Sequence, residues 1–166
     1  MNKSQTVYIA LGANLGNPVE TIKKAILKLE QGLNSKVQVA GLYQNEAVGF
    51  ESTNVFVNTV CSFKTDIPPM KLMSITQGIE KELGRDSKQI TGYENREIDL
   101  DIILYGDLIF KEENLIIPHP KFSERDFVLI PLNDLNSNLI DPVTKLSINQ
   151  HIKLLSSDRK LVKINF

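Results

Sequence analysis

REIDLDIILYG (residues 96–106) sets two acids two positions apart inside an otherwise apolar run. Its length and β-branched content read as a strand, whose side chains alternate between two faces. Ile98, Leu100, Ile102 and Leu104 then share one face, while Asp99, Asp101, Ile103 and Tyr105 share the other. The strand rise puts the two carboxylates roughly 7 Å apart. Two unpaired carboxylates so close, at the edge of a core, are costly. The pattern therefore calls for something positive between them.

The surrounding elements give this strand its place. Upstream, TVYIALG (6–12) is a first strand, followed by a turn into a helix with Asn17 as N-cap, Pro18 in the first position and Glu20 in the third. Val19, Ile22, Ile26, Leu29 and Leu33 recur at helical spacing. KVQVAGLY (36–43) reads as a second strand and residues 45–53 as a polar, glycine-bearing loop. NVFVNTVCSFKT (54–65) alternates over its length, with Val55, Val57, Cys61 and Phe63 on one face and Phe56, Asn58 and Val60 on the other. A second helix runs from Pro68-Pro69 to Leu83, with Leu72, Ile75, Ile79 and Leu83 as its buried stripe. Residues 84–96 are a loop before the acidic strand. After it, GDLIFKEENLIIPHP makes a hairpin-like excursion back to the sheet, and SERDFVLIPLNDL carries a short helix. The order βαββαβ predicts an α+β, ferredoxin-like fold: an antiparallel sheet with helices on one face and the other face available for a site. Residues 1–166 are expected to form a single domain.

Composition narrows the function classes. The chain has 166 residues, 42% hydrophobic and 23% charged, with a net charge of −1. There is no basic excess for bulk binding to nucleic acid or an anionic membrane. The single Cys61 excludes an internal disulfide and reads as a buried structural thiol. No run reaches the ~18 apolar residues of a membrane helix, and the N-terminal apolar stretch is too short for a signal peptide. A cytoplasmic protein is expected, as a monomer, with a dimer as the alternative.

A lone Asp-x-Asp is more often a solvent-facing strand edge, but the flanks of this one favour a site. Hard oxygen ligands on rigid β-structure suit Mg²⁺, which keeps waters and takes one or two carboxylates plus substrate phosphates. Two such ions clamp attacking and leaving oxygens. Arg85, Lys88, Arg96, Lys121 and Arg125 gather in sequence around the strand, and phosphoryl chemistry needs such cations to neutralise developing charge. His119 lies between two prolines that aim its ring; it suits donation to a phosphate or ribose better than action as a base. His151 is assigned to structure or solvent. Phe56 and Asn58 on one strand face can stack on and read a flat heterocycle. Gln77 and Glu80 share a helix face apart from the buried stripe. LGANLGN (11–17) lacks the spacing and the Lys-Ser/Thr of a phosphate loop and is a tight turn into the capped helix.

YIALGANLGN, NREIDLDIILYG and IPHPKFSERDFVLIPLNDL resemble three blocks of the 6-hydroxymethyl-7,8-dihydropterin pyrophosphokinase family of folate biosynthesis, over roughly residues 6–148. The resemblance implies a Mg²⁺-dependent transfer of pyrophosphate from ATP to the hydroxymethyl oxygen of the pterin, leaving AMP. It implies that Asp99 and Asp101 hold two Mg²⁺ ions. It further implies ATP contacts at Gln77, Glu80, Arg85, Arg96, Ile102, His119 and Arg125, with Arg85, Arg96, Asp99 and Asp101 catalytic. Asn58 would read the pterin edge, Phe56 and Phe127 sandwich the ring, Val48 lie in the loop segment lining the same pocket, and Asp99 contact the substrate as well. The family's Trp-Gly-Pro is Tyr93-Glu94-Asn95 here, and an arginine two residues after Arg85 is Ser87. Residues 44–53 and 86–95 are expected to be the most mobile segments and to order together on ligand binding. The alternatives are a non-catalytic ferredoxin-like metal or nucleotide sensor and a two-metal phosphodiesterase.

Overall fold

The computed structural model describes residues 3–45, 55–84, 97–156 and 160–166. Its main sheet is antiparallel throughout, built from β1 (Gln5–Ala13), β2 (Gln38–Val39), β3 (Leu42–Asn45), β4 (Phe56–Thr65), β5 (Asp99–Tyr105) and β8 (Val162–Ile164). The strands run in the order β5-β1-β4-β3-β8, with β2 also paired to β4. The helices are α1 (Pro18–Leu33), α2 (Pro69–Glu82), α3 (Asp126–Leu135) and α4 (Ile148–Leu154). This is the α+β, ferredoxin-like arrangement that the element order predicts.

Local chemistry sets the element ends. Asn17 caps α1 through its side chain, which accepts from the Glu20 N–H at 3.3 Å, and Pro18 opens the helix. α2 likewise has a proline in its first turn. The 36–43 segment is not one strand: its pairing to β4 is interrupted at Ala40-Gly41, and β3 continues to Asn45, past the expected end. β6 (Phe110–Glu112) and β7 (Leu115–Ile117) form the hairpin after β5, but as a separate two-stranded sheet rather than a return to the main one.

Two cores sandwich the sheet. On one face Val7, Ile9 and Leu11 of β1, Val57 and Cys61 of β4, and Ile98, Leu100 and Ile102 from the acidic strand pack against Ile22, Ala25 and Leu29 of α1 and Leu72 and Ile79 of α2. On the other face Tyr8, Val60, Ile103 and Leu104 pack against Val128, Leu129 and Leu132 of α3, with Phe122 and Ile148. The expectation of helices on one face only is therefore corrected. α3 is more apolar than a surface helix, and its buried Val128, Leu129 and Leu132 demand a partner surface. Among the described residues, the end of that face carrying Asn58 and the two aspartates contributes nothing to the α3 core.

The strict alternation expected of β5 also fails, at one point. Tyr8 pairs with Leu104 and Ile9 with Ile102, leaving Ile103 as an extra residue: a β-bulge. Past the bulge the faces exchange, so Leu104 joins the α3 core and Tyr105 the α1–α2 core, the reverse of the sequence expectation.

The buried His151 is structural. Its Nε2 lies 3.0 Å from Asp141 Oδ2 and 3.1 Å from Thr144 Oγ1, and its ring meets Phe122 edge-on. The Asp141 carboxylate also accepts from the Val143 N–H and the Thr144 hydroxyl, tying the 141–147 turn to α4. Burial opposes ionisation of Asp141, but these hydrogen bonds win, and its carboxyl sits below the usual carboxylate value. The loop segments 46–54 and 85–96, and with them the expectation of coupled ordering, lie outside the described residues.

Candidate active site

Among the described residues β5 is an edge strand, so one row of its backbone groups has no strand partner there. Glu80 of α2, only 7% exposed, meets this need: its Oε1 accepts the Leu100 N–H at 2.7 Å. Glu80 is thus no ordinary polar helix face, as its spacing from Gln77 alone suggests; it ties α2 to the acidic strand. A cleft of about 880 Å³ runs along this edge, between α2 and the β6–β7 hairpin. Gln77, Glu80, Asp99, Asp101, Ile102, His119 and Arg125 all line it. Thr76, Asn114 and Leu115 line it too, and the sequence reading did not single them out. Thr76 lies one helical turn before Glu80, a spacing that marks a shared face.

The bulge has a local consequence. Ile103, unpaired in the ladder, accepts the His119 N–H through its carbonyl at 3.0 Å, which pins the Pro-His-Pro segment to β5. The His119 Nδ1 accepts the Lys121 N–H at 3.2 Å, so in the neutral ring the proton sits on Nε2. That nitrogen points toward Asp101, 3.9 Å from its Oδ2. Burial, then the Arg125 charge, push the imidazole down to about 4, outweighing the opposing pull of Asp99. At neutral pH His119 is an uncharged Nε2–H donor facing the carboxylates.

Arg125 supplies the positive group that the acidic strand calls for. Its Nη1 lies 3.8 Å from Asp101 Oδ2, its guanidinium stands 5.7 Å over the Phe127 ring, and its Nε is buried with no hydrogen-bond partner among the described residues. A half-buried guanidinium with an unmet buried Nε donor suits an anionic ligand.

The register places the second group of candidates. Gly12 on β1 pairs with Asp99 on one side and Asn58 on the other, and Ala10 pairs with Asp101. Asn58, Gly12 and Asp99 therefore form a row across three strands on one sheet face, with Phe56 on the same face of β4. Asn58 is buried and donates through Nδ2 to Asn45 Oδ1 at 2.6 Å. Gly12 is not the end of a strand before a turn; it lies in extended pairing, and a Cβ there would stand 2.8 Å from Asn58 Oδ1. The structure thus gathers Gln77, Glu80, Asp99, Asp101, Ile102, His119 and Arg125 at the cleft. Phe56, Asn58 and Phe127 lie on the adjoining face. Val48, Arg85 and Arg96 lie outside the described residues, as do Ser87 and Tyr93–Asn95.

Among the described residues no three acidic, histidine or cysteine side chains converge as a complete metal cage. Asp99 and Asp101 are a two-carboxylate donor set, suited to a hard cation that fills its remaining positions with water and phosphate oxygens. No helix among the described residues is long and apolar enough to cross a membrane.

Comparison with known proteins agrees with this arrangement. A pyrophosphokinase acting on 2-amino-4-hydroxy-6-hydroxymethyldihydropteridine from Haemophilus influenzae is 36% identical over 161 residues, 96% of this chain and 98% of that one. The protein of the same description from Aquifex aeolicus is 39% identical over 138 residues, 83% of this chain and 84% of the relative. A folic acid synthesis protein of Pneumocystis carinii is 41% identical over 160 residues; this chain spans 96% of its own length there but only 21% of that protein. A crystal structure of Plasmodium falciparum HPPK-DHPS with pteroate superposes with a TM-score of 0.70 over 92% of this chain and 42% of that one, at 16% identity, which speaks for a shared fold. Residues 8–137, spanning the acidic strand, the cleft and the Asn58 row, match the family described as 7,8-dihydro-6-hydroxymethylpterin-pyrophosphokinase, and the chain belongs to that family.

Proposed function

We propose that this chain transfers the pyrophosphoryl group of ATP to the hydroxymethyl oxygen of 6-hydroxymethyl-7,8-dihydropterin, giving AMP and the pterin diphosphate in folate biosynthesis. The observation that carries this reading is the position of Asp99 and Asp101. They stand where the cleft along the β5 edge meets the sheet face bearing Asn58. A nucleotide in the cleft and a heterocycle on the face then bring triphosphate and acceptor together over two carboxylates. Proximity of this kind supplies much of the rate of a two-substrate reaction.

In this reading Gln77, Glu80 and Ile102 line the nucleotide side. His119 donates its Nε2–H to a phosphate oxygen, and Arg125 neutralises charge on the transferring group, with Arg85 and Arg96 assigned the same task by the family pattern. Asn58 reads the pterin edge, Phe56 and Phe127 flank its ring, and the family pattern assigns Val48 to the lining of the same pocket. Asp99 and Asp101 are the residues that would hold Mg²⁺, two ions in the family pattern, whose chemistry is to neutralise the phosphates and polarise the phosphorus under attack. The protein's own contribution is positioning and electrostatic stabilisation rather than covalent chemistry.

The test is a coupled assay of AMP release with ATP, Mg²⁺ and the pterin. AMP production that requires the pterin supports the reading. ATP binding without turnover points instead to a nucleotide sensor and overturns it.

A further inference from the structure

The side chain of Asn58 is held from both neighbouring strands. β3 and β4 pair Tyr43 with Asn58 and Asn45 with Phe56, so Asn45 is the diagonal neighbour of Asn58 on the same face. Asn58 Nδ2 donates to Asn45 Oδ1 at 2.6 Å. On the opposite side, Asn58 Oδ1 lies against the backbone of Gly12, where a Cβ would stand 2.8 Å away. Any side chain at position 12 would push the amide oxygen aside and break the bond to Asn45.

We infer that Asn45 is a positioning residue which, with the bare backbone of Gly12, fixes the orientation of the Asn58 amide and so selects which edge of a heterocycle it reads. The inference takes the proposed pterin site as its starting point. An amide can present either its oxygen or its NH₂ to a ligand, and its hydrogen-bond network decides which. Here one Nδ2 hydrogen is committed to Asn45. Oδ1, turned toward Gly12 and the Asp99 row, is the atom left to accept from the ligand. The edge read is therefore one presenting an N–H donor, as the amino and ring N–H groups of a pterin do. A freely rotating amide would lose this preference together with its preorganisation.

The experiment measures the Kd of the pterin and of a non-hydrolysable ATP analogue separately, by calorimetry, on the wild type and on Asn45→Ala, Asn45→Asp and Gly12→Ala, with a thermal melt of each. Asn45→Ala is expected to weaken pterin binding about tenfold, the worth of one well-made hydrogen bond, while the ATP analogue binds within about twofold of wild type. Asn45→Asp keeps an acceptor for Nδ2 and restores most of the pterin affinity. Gly12→Ala weakens the pterin at least as much as Asn45→Ala by displacing Oδ1. Unchanged pterin binding in either Asn45→Ala or Gly12→Ala overturns the inference, as does equal loss of both ligands or failure of Asn45→Asp to restore binding. If Asn45→Ala does not fold, Gly12→Ala and Asn45→Asp decide. A wild-type protein that does not bind the pterin at all refutes the proposed function instead, which keeps the two failures apart.

Discussion

Replacing Asp101 with asparagine removes one charge from the β5 face at nearly constant volume. Asp101 Oδ2 lies 3.8 Å from Arg125 Nη1, with the carboxylate side chain 33% exposed. At an effective dielectric near 20 such a pair attracts by roughly 4 kcal/mol, and solvent screening brings the net worth of a half-exposed pair to about 1 kcal/mol or less. Relief of repulsion from Asp99 offsets part of that. For a chain of this size 1 kcal/mol moves Tm by about 2–4 °C, so Asp101→Asn should melt within a few degrees of wild type. Turnover should suffer far more. Loss of a group that organises charge in the transition state costs about 10²–10³ in kcat, or roughly 3–4 kcal/mol of barrier. The assay is pterin-dependent AMP release at saturating Mg²⁺, with a thermal melt of the same preparation. Near-normal kcat would refute the role given to Asp101. A Tm lowered by tens of degrees would show that the carboxylate holds the fold rather than the reactants.

Burial pushes the Cys61 thiol up to about 12 and the residue is fully enclosed, so a disulfide reagent at pH 8 should label nothing in the native protein and one thiol in guanidinium; rapid native labelling would contradict the burial. Leu129→Ala, on the α3 core, should cost about 3 kcal/mol and lower Tm by roughly 6–12 °C, and a neutral result would remove the second core from the account. The Asp141 carboxyl is held below its unfolded value, so its stabilisation is present above the ordinary carboxylate range and lost as pH falls through the depressed folded value. The gap in urea midpoint between wild type and Asp141→Asn should therefore be full at pH 6 and close on acidification; a gap that widens toward low pH would reverse the assignment.

What the sequence revealed was whatever local chemistry dictates. The Asn17-Pro18 helix start, the division of β4 side chains between two faces and the two acids in an apolar strand are short-range signals, and the structure carries all three. The bulge at Ile103 escaped because an extra residue in a ladder depends on the partner strand; nothing in ILY marks the exchange of faces. The second face was misjudged because an apolar helix after the βαββαβ series can pack on either side of the sheet, and only the tertiary packing of α3 on Tyr8, Val60, Ile103 and Leu104 shows which. Glu80 and Asn45 look like ordinary polar surface until the edge N–H of Leu100 and the amide of Asn58 are brought beside them by tertiary packing. The candidate site residues on β5 and β4 were legible because strand periodicity alone puts them on a shared face. The relation of that face to the cleft was not.

Pyrophosphoryl transfer is defined by which bond in ATP is broken and where the group goes. Phosphorus NMR of the products formed from ATP, Mg²⁺ and 6-hydroxymethyl-7,8-dihydropterin reads this without a coupling enzyme. AMP and a pterin diphosphate should form in equal amounts, with no ATP consumed when the pterin is withheld. Formation of ADP with a pterin monophosphate, or release of pyrophosphate and AMP in the absence of the pterin, would contradict it.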